Sequence, residues 1–301
     1  MQIRVNHRYI LGHIIGSGSY GKVYTSKDAE TNEPTAIKLE PKAKHNRLSN
    51  EAKLYDALKG GRGIPSVRWY GTEGDFNVMV MDMLGDSLET LRYALPKQKN
   101  DQSIPHAFSL KTVLMIGLQL LDRIEYIHDH GILHRDIKPE NILIGNGAAA
   151  HIIHIVDFGL AKYYRRDDTH ISSRTHTGLT GTTRYASINA HKEEQSRRDD
   201  MESIGFVLVC LLRGRLPWQG MKTRSKKRKH DQILDKKTNI PLGELCWGCP
   251  PEFQTYFEHC RNLGFVDTPD YSHLKQLLRN VFERESFTMD KEFDWILADL
   301  K

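Results

Sequence analysis

The chain has 301 residues, enough for one large domain or two smaller ones and for a sizeable core. Its 39% apolar and 27% charged residues form a globular balance that excludes a disordered chain. The 43 Lys/Arg against 38 Asp/Glu leave a net charge of +5, too mild for a dedicated nucleic-acid coat.

In chain order, residues 9–15 and 22–26 read as strands on either side of a glycine cluster, and residues 35–39 as a short buried strand. Residues 49–58 read as a helix, with Ser49 or Asn50 as its cap. Residues 77–81 form another strand candidate. After Gly85 the period lengthens. Residues 111–130 place Leu114, Leu118, Leu121 and Ile124 on one helical face. Residues 200–213 make an almost wholly apolar, buried helix, and residues 251–263 and 271–284 are amphipathic helices. The expectation is an α+β fold: a small β-rich lobe over residues 1–84 and a larger, mainly helical lobe over residues 85–301. A cleft between the lobes would hold the ligand.

The longest apolar run, residues 204–212, falls short of the roughly 18 residues of a membrane span. Residues 1–6 lack the apolar centre of a signal peptide. Four cysteines do not make a disulfide framework. Cys246-Trp-Gly-Cys249 has neither a second ligand pair for zinc nor a βαβ context for redox work, so it reads as reduced structural thiols. The pairs His128/His130 and His151/His154 lack a third ligand and read as structural.

Four motifs carry chemistry. Gly16-Ser-Gly18-Ser-Tyr-Gly21-Lys-Val23 is a GxGxxGxV, in which glycines let backbone N–H groups approach phosphate. A Walker loop fails because Val23 stands where Ser or Thr is needed. A dinucleotide turn fails because residues 22–26 read as strand, although Glu40 stands near the expected acid position. A strand–loop–strand cover for nucleotide phosphates and an ordinary hairpin both remain. Lys38, flanked by Ala36, Ile37 and Leu39, can reach a phosphate, and Glu51 on the next helix can hold its ammonium. In His134-Arg135-Asp136-Ile-Lys138-Pro-Glu-Asn141, Asp136 can accept a hydroxyl proton, Lys138 can neutralise a transferring phosphoryl group, and Asn141 can bind a metal ion. Asp157-Phe158-Gly159 follows a strand at residues 152–156, and Asp157 can chelate Mg²⁺.

Glycine loop, lysine, helical glutamate, HRDxxxxN and DFG in this order resemble the protein-kinase superfamily. Lys138, two residues after Asp136, resembles the Ser/Thr branch. The usual Ala-Pro-Glu is replaced by Ser187-Ile188-Asn189. With Leu179-Thr-Gly-Thr-Thr183, Glu194-Gln-Ser-Arg-Arg-Asp-Asp200, Leu216-Pro-Trp-Gln-Gly220, Gly63-Ile-Pro65 and Glu125-Tyr-Ile-His128, this resembles the casein kinase 1 family over residues 9–295. The resemblance implies a bilobal Ser/Thr protein kinase with ATP and Mg²⁺ as cofactors. It implies catalytic Asp136, Lys138, Lys38 and Glu51, and metal ligands Asn141 and Asp157. It implies a nucleotide cradle of Ile15, Gly16, Gly18, Gly21, Val23, Ala36, Lys38, Met81, Asp82, Leu84 and Leu143, with Met81 as gatekeeper and Asp200 as anchor of the catalytic loop. No activation-loop phosphate would be required, although Thr169, Ser172, Ser173 and Thr175 are hydroxyls there. Loss of Lys38, Asp136 or Asp157 would mark a catalytically dead scaffold, and all three are present.

Residues 213–237 hold ten Lys/Arg and two Asp/Glu, a local +8 that leaves the rest slightly acidic. Such a run reads as a solvated helix face, a nuclear-localisation or nucleic-acid patch, or an anion site. The resemblance implies an anion site of Arg184, the backbone of Gly220, and Lys229, for acidic or phosphorylated protein substrates. The family's additional lysine falls at Thr177. Nucleic acid is the weaker partner, since it leaves the phosphoryl-transfer motifs without a purpose. A monomer in the cytoplasm, with nuclear import as a second destination, completes the expectation.

Overall fold

The computed structural model describes residues 2–18, 21–42, 47–94, 106–166, 169–174, 179–192, 194–221 and 225–299. Six strands form one antiparallel sheet: β1 (Arg4–Val5), β2 (Tyr9–Gly18), β3 (Gly21–Asp28), β4 (Pro34–Pro41), β5 (Val67–Glu73) and β6 (Phe76–Asp82), in spatial order β1-β2-β3-β4-β6-β5. Alternation along β4 and β6 sorts their side chains between two faces. Ile37, Val78 and Val80 pack with Val5 and Tyr9 on one side. Ala36, Met79 and Met81 join the main core with Leu48, Ala52 and Tyr55 of helix α1 (Arg47–Ala57) on the other. Lys38 shares the parity of Ala36, so it points toward α1.

Two local expectations change. The strand expected over residues 35–39 runs from Pro34 to Pro41. Helix α1 contains Ser49 and Asn50 in its first turn, so neither is the cap. Glu40 of β4 serves the helix start instead: its buried Oε2 accepts from Leu48 N at 3.0 Å. A carboxylate near a helix N-terminus satisfies orphan donors and complements the dipole.

The remaining elements form the helical lobe. They are α2 (Leu88–Ala94), α3 (Leu110–Asp129), β7 (Ile132–Leu133), β8 (Ile142–Ile144), β9 (Ile153–Ile155), β10 (Lys162–Tyr163), β11 (Arg165–Arg166), β12 (Thr169–His170), α4 (Arg197–Arg213), α5 (Lys226–Asn239), α6 (Leu242–Leu245), α7 (Glu252–Asn262), α8 (Tyr271–Arg284) and α9 (Asp294–Asp299). Ser109 caps α3, accepting from Thr112 N. Ser196 and Asp199 make a capping box at the start of α4, which therefore begins three residues before the predicted helix over residues 200–213. Helices α3 and α4 lie at the centre, buried along nearly their whole length, with α7 and α8 packed against them.

β5 has no sequence counterpart, and α5 has one only as the helix-face reading of the basic run. β5 is a partly exposed edge strand of mixed polarity. α5 was hidden inside the basic run. Burial lifts the Cys246 thiol to about 12 and the Cys249 thiol to about 11, consistent with inert, structural cysteines. No described helix is long and apolar enough to cross a membrane, and no described group of three His, Cys, Asp or Glu could hold a metal.

Candidate active site

β4 places Lys38 between Val23 of β3 and Met79 of β6. Its Nζ donates to Glu51 Oε1 at 2.9 Å and Oε2 at 2.7 Å, and to Asp157 Oδ1 at 2.9 Å. Burial alone would lower the lysine's pKa. Glu51 and Asp157 outweigh it and hold the ammonium well above its ordinary range. Asp157 in turn stays below the ordinary carboxylate range: burial would raise it, but Lys38 prevails.

Two non-glycine residues of the site, Arg135 and Asp157, have left-handed backbone with φ of 67°. Such strain persists only where the surroundings over-determine it. At Asp157 they do. Its N–H donates to Tyr55 Oη at 3.1 Å, and buried Phe158 packs edge-on against Tyr55 and His134 at 4.9 and 5.1 Å. At Arg135 the N–H donates to Asp200 Oδ1 at 2.8 Å, and Nε donates to Leu160 O at 2.7 Å.

Asp200, in the first turn of α4, holds the start of the loop that carries Asp136. It is 2% exposed. Its Oδ2 accepts from His134 N at 2.8 Å and lies 3.1 Å from His128 Nε2. His128 Nδ1 is 2.6 Å from Tyr271 Oη, which adds α8 to the support. Burial would raise the Asp200 carboxyl, but its bond to His128 and the main-chain donors hold it low. It therefore stays anionic where the loop needs an acceptor.

Asp136 is surrounded by donors. Its Oδ1 accepts from Thr182 N at 2.9 Å and Thr182 Oγ1 at 2.8 Å. Its Oδ2 accepts from Lys138 Nζ at 2.5 Å and from Asn141 Nδ2 at 3.3 Å. Lys138 Nζ also reaches Thr182 Oγ1 at 3.2 Å. Gly181 makes this approach possible. Its φ is +99°, and a Cβ there would stand 2.4 Å from Arg135 O.

A cleft of about 910 Å³ opens between sheet and helices. Ile15, Gly16, Gly18, Gly21 and Val23 of β2 and β3 line it, with Ala36 and Lys38 of β4, Met81 and Asp82 of β6, Leu84 beyond it, and Leu143 of β8. Glu51, Asp136, Lys138, Asn141 and Asp157 face the same space. Ile15, Val23, Ala36, Met81 and Leu143 make an apolar slot suited to a planar base, and Lys38 with Asp157 makes the polar end. Asp82 is occupied elsewhere, accepting from Arg68 Nε at 2.8 Å and Ser66 N at 2.9 Å.

The three residues of the expected anion site lie on adjoining backbones. Thr183 Oγ1 and His230 Nε2, chain neighbours of Arg184 and Lys229, are 2.7 Å apart. Trp218, two residues before Gly220, donates its Nε1 to Arg184 O at 2.8 Å. Gly220 has φ of 79° and Lys229 is exposed. Arg184 approaches Glu89 at 3.9 Å. Thr175 and Thr177 lie outside the described residues.

The structure also enlists residues that sequence reasoning passed over. Thr182 was visible only as part of a family motif. Ser187 Oγ donates to Asp199 Oδ1, and Ile188 N donates to Glu202 Oε2 at 2.9 Å. Glu202 Oε1 accepts from Arg261 Nε at 2.9 Å. The Ser-Ile-Asn segment is thus held to α4 by two buried carboxylates, and burial lifts that of Asp199 to about 7. A family model described as protein kinase domain matches residues 9–287.

Proposed function

The chain belongs to the protein kinase family, and on that premise we propose a Ser/Thr protein kinase of casein kinase 1 type. It transfers the γ-phosphate of ATP to serine or threonine in acidic or phosphorylated proteins. The observation that carries the Ser/Thr reading is the triangle of Asp136, Lys138 and Thr182, all within 3.2 Å of one another. A lysine in that triangle occupies the space beside the base, which favours a short aliphatic hydroxyl over a bulky phenol.

In this reading Asp136 Oδ2 takes the proton of the substrate hydroxyl as it attacks phosphorus, and Lys138 exchanges its bond to Asp136 for the transferring phosphoryl group. Lys38 steadies the α- and β-phosphates, itself fixed by Glu51. Asn141 uses its amide nitrogen on Asp136 O at 3.0 Å, so its carbonyl oxygen is the donor available to a metal. That oxygen and the low-pKa Asp157 carboxylate are hard ligands that suit Mg²⁺, an ion that otherwise keeps waters and phosphates. When bound, Mg²⁺ would neutralise phosphate charge as it builds up in transfer. Incubation with radiolabelled ATP and matched acidic peptides ending in Ser, Thr or Tyr acceptors tests the reading. Labelling of Ser and Thr but not Tyr is expected; Tyr labelling of equal rate would overturn it.

Arg184 and Lys229 supply charge for an acidic or phosphorylated residue near the acceptor. Thr177, in place of a lysine, offers no Coulomb attraction to phosphate. Phosphate priming should therefore matter less than in a lysine-bearing relative. Thr177→Lys is expected to raise the ratio of kcat/KM for a phosphorylated over an aspartate peptide several-fold, about fivefold for one added exposed charge. An unchanged ratio would remove Thr177 from the explanation. The same reading takes the protein to act as a monomer in the cytoplasm, with nuclear import through residues 225–230.

A further inference from the structure

α5 carries much of the basic run, yet one of its lysines is not solvated. Lys237 is 0% exposed. Its Nζ donates to Thr183 O at 2.8 Å and to Ala186 O at 2.5 Å. It sits 5.1 Å from the ring centres of both Phe206 and Trp218. Burial pulls its pKa down to about 7, opposed by Glu202; His191, itself lowered chiefly by burial, also feels the charges of Lys237, His230 and Lys192. Protonation does not decide the contact, since a neutral amine still has two N–H groups for its two acceptors.

Lys237 is one of three residues on a single helical face. His230, Ile233 and Lys237 follow spacings of three and four, which bring side chains over one another on a helix. Ile233 is buried at 4%. His230 Nε2 meets Thr183 Oγ1 at 2.7 Å. Thr183 is thus gripped twice by α5, by its hydroxyl and by its carbonyl. Trp218 takes the carbonyl of Arg184 between the two acceptors of Lys237. On one side of Thr183, Thr182 holds the Oδ1 of Asp136; on the other stands Arg184, a member of the proposed anion site.

We propose that α5 is a clamp for protein substrate, with His230 and Lys237 as positioning residues. They fix Thr183 and so set where Arg184 meets an acidic side chain relative to Asp136. The inference rests on the protein-kinase reading and deepens it. No residue of the clamp lines the nucleotide cleft, so its effect falls on the peptide and not on ATP.

The test compares wild type with Lys237→Met, Lys237→Gln and His230→Phe, using an acidic serine peptide and Mg-ATP. Lys237→Met should lower kcat/KM for the peptide at least about tenfold, since misplacement of a reacting group by about 1 Å can cost a hundredfold. The loss should lie mainly in the peptide KM, with the Kd of Mg-ATP within about twofold. Lys237→Gln, which keeps one N–H donor toward a carbonyl, should recover part of it. His230→Phe loses one hydrogen bond and should cost about threefold in the same direction. Peptide kinetics within twofold of wild type, or a parallel fall in nucleotide affinity, would overturn the clamp. If Lys237→Met does not fold, an unchanged peptide KM in His230→Phe overturns it. A wild type that phosphorylates no peptide would sink the kinase reading as well, whereas an active wild type with insensitive variants sinks the clamp alone.

Discussion

Asp136→Asn lowers phosphoryl transfer to peptide by between about a hundredfold and ten-thousandfold, the usual worth of a positioned general base, while Mg-ATP still binds. The amide keeps the shape of the carboxylate and can still accept from Thr182 at the Oδ1 position. It cannot take a hydroxyl proton. Its other end becomes an N–H₂ facing the Lys138 ammonium, now 2.5 Å from Oδ2, so donor meets donor and Lys138 must move. Steady-state turnover, read beside the Kd of Mg-ATP, checks this. Near-normal phosphorylation in Asp136→Asn would remove Asp136 as the base. Equal loss of nucleotide affinity would assign it a binding role instead.

Asp200→Ala is the second large effect. The substitution strands the N–H groups of His134 and Arg135 and removes the carboxylate beside His128. Breaking a buried charged network from one side costs about 3–5 kcal/mol, because the partners remain buried and unpaired. Urea unfolding should show that loss at neutral pH, and turnover should collapse as the loop carrying Asp136 loses its suspension. The pH dependence follows from the depressed carboxyl of Asp200. A group held below its unfolded pKa stabilises at neutral pH, and that contribution is lost as the pH falls through and below the carboxylate range. Wild type should therefore lose more stability on acidification than Asp200→Ala. A urea midpoint shift worth under about 1 kcal/mol would show that other contacts carry the loop.

Much of the site was legible in the chain before folding. The chemistry of Lys38, Asp136, Asn141 and Asp157 follows from residue types at short, fixed spacings, and the long apolar helices follow from their period. The capping of α1 was not legible, because Glu40 lies on the preceding strand, outside the helix pattern. α5 was misjudged for a related reason. Among its residues 226–239 only Ile233 and Leu234 are strongly apolar, and the buried positions of its inner face are Ile233 and Lys237, the second a residue that looks like any solvated charge. Of the readings offered for the basic run, a solvated face holds at Lys229 and fails at Lys237.

The sequence by itself determined which groups are available to a proton, a metal or a phosphate, and in what order the chain presents them. Partner choice came only with tertiary structure. Lys38 and Asp157 meet across 119 residues, and His128, Tyr271 and Asp200 converge from three helices. Local propensity carries no information about such contacts. They form when burial of the apolar faces of α1, α3, α4 and α8 brings distant segments together, and a buried charge left without a partner there would be costly. The same packing turned two cations of similar sequence context into opposites: Lys229 faces solvent, and Lys237 lies buried against the carbonyls of Thr183 and Ala186.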